Sequence, residues 1–166
     1  MEFVQTYSLD DEVCELILAN LNTSECREKT CIEVDIPEIK EPLYKFAREY
    51  FTSIEEFNYF GYISKMVYEI KDTIIRYIPS WRYQHYESPS QGTLCFFIFL
   101  KENDSVFEVF NPFIRGCFRV RPRRGLVVIF PAIWMMVFRH TDTFAKDSIF
   151  ISGTLDVDHL DNMKQP

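Results

Sequence analysis

The second half of the chain is a succession of short apolar stretches divided by turn residues, and this pattern restricts the fold more than any other feature. Seven stretches rich in β-branched and aromatic residues follow Trp81, and Pro, Gly, Asn or Asp separates most of them. Residues 94–100 are apolar at every position, which predicts a central strand covered on both faces. The predicted strands are residues 82–86, 93–101, 106–110, 117–121, 126–130, 135–140 and 148–157.

The first half favours helices. Ser8 is a plausible N-cap of a first helix, Pro42 opens a second, and the capping box Ser53-x-x-Glu56 opens a third that Pro79 ends. The predicted apolar stripes are Leu43, Phe46, Ala47, Tyr50 and Phe51 in the second helix, and Phe60, Ile63, Val67, Ile70 and Ile74 in the third.

Together these patterns predict an α+β fold, a double-stranded β-helix (jelly roll) with N-terminal helices packed on one sheet. The length of 166 residues suits one domain, 1–166. Within it we expect residues 1–79 to be mainly helical, 80–157 to be β-rich and 158–166 to form a polar tail.

The charge distribution argues against general binding of nucleic acid, because the net charge is −7. Arginines clustered at 115–124 are a local exception, and their alternation with other residue types predicts a solvated face. We hypothesise that Arg119, Arg121 and Arg123 bind a partner protein, and that replacing all three leaves folding intact.

The location predicted from the sequence is a cytoplasm or a virion. No apolar stretch approaches the ~18 residues of a membrane span. The acidic N-terminus does not resemble a signal peptide, and an odd number of cysteines, five, without a C-x-x-C pair favours reduced thiols.

The segment R-P-R-R-G at 121–125, followed by F-P-A-I-W at 130–134, resembles the late strands of the prolyl-4-hydroxylase-like 2-oxoglutarate/Fe(II) oxygenases. The compact versions in phages and marine bacteria are the most similar. Q-H-Y at 84–86 and I-S-G-T-L at 151–155 are similar to two further strands of that family. The resemblance covers roughly residues 81–157 and implies the jelly-roll fold.

The same resemblance implies that the family's chemistry is missing. Its iron-binding His, two residues after the Trp, corresponds to Met136, and a thioether is a poor ligand for Fe(II). Its H-x-D/E motif has no counterpart in residues 88–92, and its basic residue for 2-oxoglutarate corresponds to Ser148. We therefore predict no cofactor, and an apolar pocket in which Met136 and Phe138 face the barrel interior. The residues of this vestigial pocket are Tyr86, Trp134, Met136, Phe138 and Ser148.

These losses lead to the prediction of a non-catalytic, oxygenase-like protein, leaning away from enzyme function. The resemblance to phage proteins suggests a viral protein that binds a protein partner, forms a homo-oligomer or serves as a virion accessory, without binding nucleic acid or membrane. The alternative is a divergent Fe(II)/2-oxoglutarate-dependent dioxygenase with a rebuilt metal site formed by His85, Glu87 and His140.

Overall fold

The computed structural model describes residues 3–21, 25, 31–53, 66–78, 84–86, 93–102, 105–111, 116–132, 135–140 and 148–159. These residues form two long α-helices, a single 3-10 turn at Pro37–Ile39, and ten strands. The helices are α1 (Asp11–Asn20) and α2 (Lys40–Ser53). The strands are β1 (Gln5–Ser8), β2 (Cys31–Glu33), β3 (Met66–Ile78), β4 (Gln84–Tyr86), β5 (Leu94–Phe99), β6 (Ser105–Asn111), β7 (Gly116–Val120), β8 (Leu126–Pro131), β9 (Met135–His140) and β10 (Ser148–His159).

The strands form two antiparallel sheets. The large sheet has the order β1-β8-β5-β10-β3-β2, and the small sheet has the order β4-β9-β6-β7. From β3 to β10 the chain alternates between the sheets, except that β6 and β7 are consecutive neighbours in the small one. This architecture confirms the predicted jelly roll with helices, and all seven strands predicted after Trp81 are present.

Two hydrophobic cores cover the two faces of the large sheet. One lies between that sheet and the helices, and it contains the apolar stripe predicted for α2. The other lies between the two sheets and is rich in phenylalanine. Strand β5 contributes to both, since Phe96 and Ile98 belong to the first core and Phe97 and Phe99 to the second. The prediction of a central strand buried on both faces is confirmed.

The predicted third helix is wrong where the structure describes it. Residues 66–78 form β3, which pairs with β10 from Ile78↔Ser148 to Met66↔His159. Ser53 ends α2 instead of opening a helix, and its Oγ donates to the carbonyl of Tyr50 at 2.7 Å. Residues 54–65 of the prediction lie outside the described part of the chain.

A β-bulge explains why the sequence of β3 does not show the alternation that predicts a strand. The register with β10 shifts between Ser152 and Thr154, where β3 carries an extra residue. Tyr68 and Ile70 precede this shift and Ile75 follows it, yet all three pack in the core beneath the helices. The spacing of five between Ile70 and Ile75 is odd, so it interrupts the alternation that identifies a strand.

The N- and C-terminal boundaries also differ from the prediction. Ser8 lies in β1, and the residue at the N-cap of α1 is Asp10, which makes no side-chain capping hydrogen bond. Strand β10 continues to His159, so residues 158 and 159 of the predicted tail belong to a strand, and the rest of that prediction lies outside the described residues. Strands β1 to β3 lie within residues 1–79, the region predicted as mainly helical. Local sequence pattern does not predict them, because they pair with strands that are distant in the sequence.

Gly125 fixes the turn that leads from the small sheet into β8. Its φ of +77° is a left-handed conformation that favours glycine. Its N–H donates to the carbonyl of Phe99 at 2.9 Å, and its own carbonyl accepts from the N–H of Leu9 at 2.7 Å. A Cβ at this position would lie 2.5 Å from the carbonyl oxygen of Leu9. The turn therefore depends on the absence of a side chain.

We expect Gly125→Ala to lower the free energy of unfolding by about 2–4 kcal/mol, because the strain of a positive φ adds to the clash with Leu9. Urea unfolding followed by circular dichroism measures the change. Arg123→Ala, at an exposed position of the same turn, is the matched control and should change stability by less than about 0.5 kcal/mol. Equal stability of the two variants would contradict this role for Gly125.

Candidate functional site between the sheets and along the arginine edge

Phenylalanine rings lie at the centre of the described core between the two sheets. Five of them are at most 1% exposed and come from both sheets. Their ring centroids lie between 4.8 and 6.4 Å apart, the range of favourable aromatic contacts. We call them the phenylalanine cluster: Phe97, Phe99, Phe107, Phe130 and Phe150.

The register of the small sheet determines the face on which position 136 lies. Met136 lies opposite Val109 of β6 and Tyr86 of β4. Val109 belongs to the core between the sheets, and directly paired residues on antiparallel strands share a face of their sheet. Positions 86 and 136 therefore lie on the face of the small sheet that is turned towards the large one.

Phe138 and Ser148 lie on the inner faces of the small and the large sheet, respectively. Phe138 lies opposite Phe107, a member of the phenylalanine cluster. Ser148, the first residue of β10, lies two positions before Phe150 and so shares its face of the large sheet. Trp134 lies outside the described residues. The register thus gathers four of the five predicted pocket positions between the sheets, and their functional roles remain predictions.

The alternative metal ligands are distributed differently. His85 lies opposite Val137, on the outer face of the small sheet. His140 lies opposite Ser105, an even number of residues after Met136, and so on the same inner face as Met136. Glu87 is outside the described residues. In the described part of the chain, no three His, Cys, Asp or Glu side chains are grouped to hold a metal ion. The described residues therefore do not supply a complete ligand set for Fe(II).

An ion pair between a buried carboxylate and an exposed arginine lies on the outer face of the small sheet. Glu108 alternates with the inward-facing Phe107 and Val109, yet its side chain is only 2% exposed. The Nε–H of Arg119, its partner on β7, donates to Oε1 of Glu108 at 2.7 Å. This hydrogen bond raises the pKa of Arg119 above its usual value. The sequence reasoning missed Glu108, although a single acid within the apolar strand 106–110 was a visible signal.

Of the remaining arginines of the predicted cluster, Arg115 lies outside the described residues, and the other three divide into two groups. Arg124 contacts α1, with its Nε 3.6 Å from Oδ1 of Asp11 and one terminal nitrogen 3.2 Å from Oε1 of Glu15. Arg121 and Arg123 follow β7, are exposed, and make no ion pair within the described residues. We call Arg119, Arg121 and Arg123 the arginine edge.

A separate cleft of about 360 Å³ lies on the helical side of the large sheet, away from the phenylalanine cluster. It is formed where β1 leads into α1 and where α2 begins. Asp10, Glu41 and Lys45 give it charges of both signs. Neither described helix is long and apolar enough to cross a membrane.

No protein-family model matches the chain, and no curated protein matches its sequence. Solved structures do match its fold. A prolyl-4-hydroxylase from Pseudomonas putida has a TM-score of 0.60 at 10% identity, covering 92% of this chain and 91% of its own. A viral collagen prolyl hydroxylase from Paramecium Bursaria Chlorella virus-1, in complex with 2-oxoglutarate, has a TM-score of 0.60 at 14% identity and covers 92% and 95%. A non-heme alpha-ketoglutarate-dependent carbocyclase from nogalamycin biosynthesis has a TM-score of 0.56 at 8% identity and covers 94% and 81%.

At these identities the likeness establishes the fold, that of the 2-oxoglutarate oxygenases, and does not by itself assign an activity. It does correct one prediction. We predicted no cofactor, but the neighbours are cofactor-dependent oxygenases, one of them solved with 2-oxoglutarate bound and another named as alpha-ketoglutarate-dependent. The prediction of no cofactor is therefore wrong, because the structures that share this fold suggest Fe(II) and 2-oxoglutarate.

The prediction that all three residues of the arginine edge can be replaced without loss of stability needs revision for Arg119. We expect Arg119→Ser to lower the free energy of unfolding, because it leaves the buried Glu108 carboxylate without this guanidinium. Arg123→Ser, at an exposed position without an ion pair in the described part, should leave stability nearly unchanged.

Denaturant unfolding of both variants tests the expectation. The double variant Glu108→Gln, Arg119→Ser should lose less than the sum of its two single substitutions, since the neutral amide no longer needs the cation. Additive losses would show that the two side chains do not stabilise each other.

Proposed function

We propose that this protein uses an oxygenase fold as a protein-binding module, and that it affects its partner by binding instead of by oxidation. The observation that carries the proposal is the phenylalanine cluster. An enzyme needs a cavity that admits substrate beside the reacting group. The five rings, from β5, β6, β8 and β10, pack together in the described core between the sheets, and we take this core to be packed instead of open to a substrate.

Met136 supports the same proposal. Its position on the inner face of the small sheet, opposite Val109, is the one for which the sequence resemblance implied an iron-binding histidine. Methionine is neutral and soft, and it fills apolar space more readily than it binds Fe(II). The proposal concerns turnover, and it does not depend on whether a cofactor binds elsewhere between the sheets.

The proposed partner is a protein. An acidic chain of net charge −7 is unsuited to general nucleic-acid binding, and the arginine edge offers a local positive surface for an acidic protein. A virion accessory and a modulator of a host protein are the two roles we propose, in a virion or in the cytoplasm of the host cell. The similarity of the sequence to compact phage oxygenases supports the viral setting.

A second candidate is a divergent Fe(II)/2-oxoglutarate-dependent dioxygenase. The observation in its favour is the extent of the fold match, which covers more than nine-tenths of both this chain and the prolyl hydroxylases. For this candidate, the comparisons suggest Fe(II) and 2-oxoglutarate as cofactors. The proposed ligands are His85, Glu87 and His140, although the register places His85 and His140 on opposite faces of the small sheet.

Oxidative turnover separates the two candidates. The purified protein is supplied with Fe(II), 2-oxoglutarate and a lysate that provides substrates, and succinate formation and oxygen uptake are measured against a sample without protein. We expect no protein-dependent succinate, because Met136 stands at the position for which the resemblance implied an iron-binding histidine.

Histidine variants show whether any succinate that does form comes from the proposed metal site. If the divergent dioxygenase is correct, succinate forms with wild-type protein and is lost in His85→Ala and His140→Ala. His159→Ala is the matched control, since His159 lies at the end of β10 opposite Met66 and belongs to neither candidate site. Succinate that only the first two substitutions abolish would refute the binding-module proposal.

A further inference from the structure

Strand β7 forms an edge of the small sheet. It pairs with β6 from Val120↔Phe107 to Gly116↔Asn111, and no strand in the described part of the chain pairs with its other side. In an antiparallel ribbon, alternate residues direct their N–H and C=O groups away from the partner strand. The outer side of β7 can therefore accept backbone hydrogen bonds from a further strand.

The core between the sheets is incompletely covered at this edge. Phe118 and Val120 of β7 pack against it but remain partly exposed, whereas Phe107 and Val109 on the neighbouring strand are 0% exposed. An added strand beside β7 would remove more of this apolar surface from water. Backbone hydrogen bonding and the burial of apolar surface thus both favour an added strand on the outer side of β7.

The charges along the edge indicate what kind of strand fits. Arg119 is 66% exposed although Glu108 anchors its Nε, and Arg121 and Arg123 continue the positive charge beyond the end of β7. A strand with carboxylates beside these residues would gain attraction from each of them. Lysines or arginines at the same places would be repelled.

A second copy of this chain does not fit the edge. Two β7 strands paired across a two-fold axis would bring their arginine edges together, and like charges opposite each other destabilise a sheet. The arginines also oppose uncontrolled edge-to-edge association, which is how natural sheets protect such edges. The charges select a different, acidic chain.

We propose that β7, the edge strand of the described small sheet, accepts an extended acidic segment of a partner protein as a further strand. This mode of recognition combines backbone hydrogen bonds, which provide affinity, with side-chain contacts, which provide specificity. The inference rests on the proposed function, since it names the surface and the chemistry of the partner that a binding module would use.

Binding of a synthetic peptide tests the proposal. The probe is a capped, fluorescently labelled peptide of alternating glutamate and valine, and its binding to the full chain is followed by anisotropy at low salt. We expect the double variant Arg121→Ser, Arg123→Ser to weaken binding about tenfold or more. Lys40→Ser with Lys45→Ser removes the same charge from α2, where these lysines pair with Asp35 and Glu49, and should bind as the wild type does.

Backbone pairing requires a separate measurement. Amide hydrogen exchange of residues 116–120 should slow when the peptide binds, because their outward N–H groups become hydrogen-bonded. A peptide with the same side chains but N-methyl groups on alternate amides should neither bind with comparable affinity nor slow exchange. Equal binding of the methylated peptide would overturn strand addition.

Other results also overturn the inference. These are the absence of glutamate–valine binding at millimolar peptide, equal binding of a lysine–valine peptide, and preferential binding of single-stranded DNA that depends on Arg121 and Arg123. None of them changes the turnover assay, which tests the proposed function independently. Conversely, succinate formation would refute the non-oxidative role while leaving peptide binding at β7 intact.

Discussion

The fold depends on one constraint, which is that β5 is buried on both faces. Residues 94–100 carry no polar side chain apart from one thiol, and every one of them is at most 3% exposed. A strand of this kind is stable only in a sheet that has a layer on each side. The helices provide one layer and the small sheet provides the other. Burial of each large apolar side chain adds about 1.5–3 kcal/mol, so omission of either layer would remove much of the stabilisation.

The two layers meet this constraint with different residues. Beneath the helices, leucine and isoleucine dominate, with Tyr50 donating its hydroxyl to the carbonyl of Phe3 at 2.8 Å. Between the sheets, the phenylalanine cluster dominates. Jelly rolls tolerate either a filled or an open interior, because the strand pairing that defines the fold does not depend on what lies between the sheets. A chain can therefore share the fold of the oxygenases with an interior suited to a different task.

Sequence reasoning succeeded where structure follows local pattern. The seven strands after Trp81 and the apolar face of α2 were predictable, and the resemblance to prolyl-4-hydroxylase-like oxygenases is confirmed at the level of fold. It failed for β3, because the bulge opposite Gly153 disturbs the alternation and the residues that pair with β3 on β10 are 70 to 93 positions away. At Gly153 a Cβ would lie 2.6 Å from the ring of Phe96, a packing requirement that no local pattern reveals.

The candidate site was less predictable, because it depends on register. Whether His85 and His140 share a face, and whether Met136 lies beside Val109, follow from how β4, β9 and β6 are aligned. A shift by one residue would reverse every one of these relations. The sequence could suggest the residues, but only the paired strands assign them to faces. The degeneracy of the iron site and the viral setting remain proposals.

Register and ion pairing also explain how a cluster of arginines can serve two purposes. Arg119 compensates the buried charge of Glu108, and Arg124 joins the turn to Asp11 and Glu15 of α1, so both contribute to the structure. Arg121 and Arg123 lie between them, exposed and without an ion pair in the described part of the chain. Their charge lacks a counterpart in the described fold, and they form a local positive segment in a chain whose net charge is −7. Recognition of an acidic partner would therefore depend mainly on two arginines that the fold itself does not need.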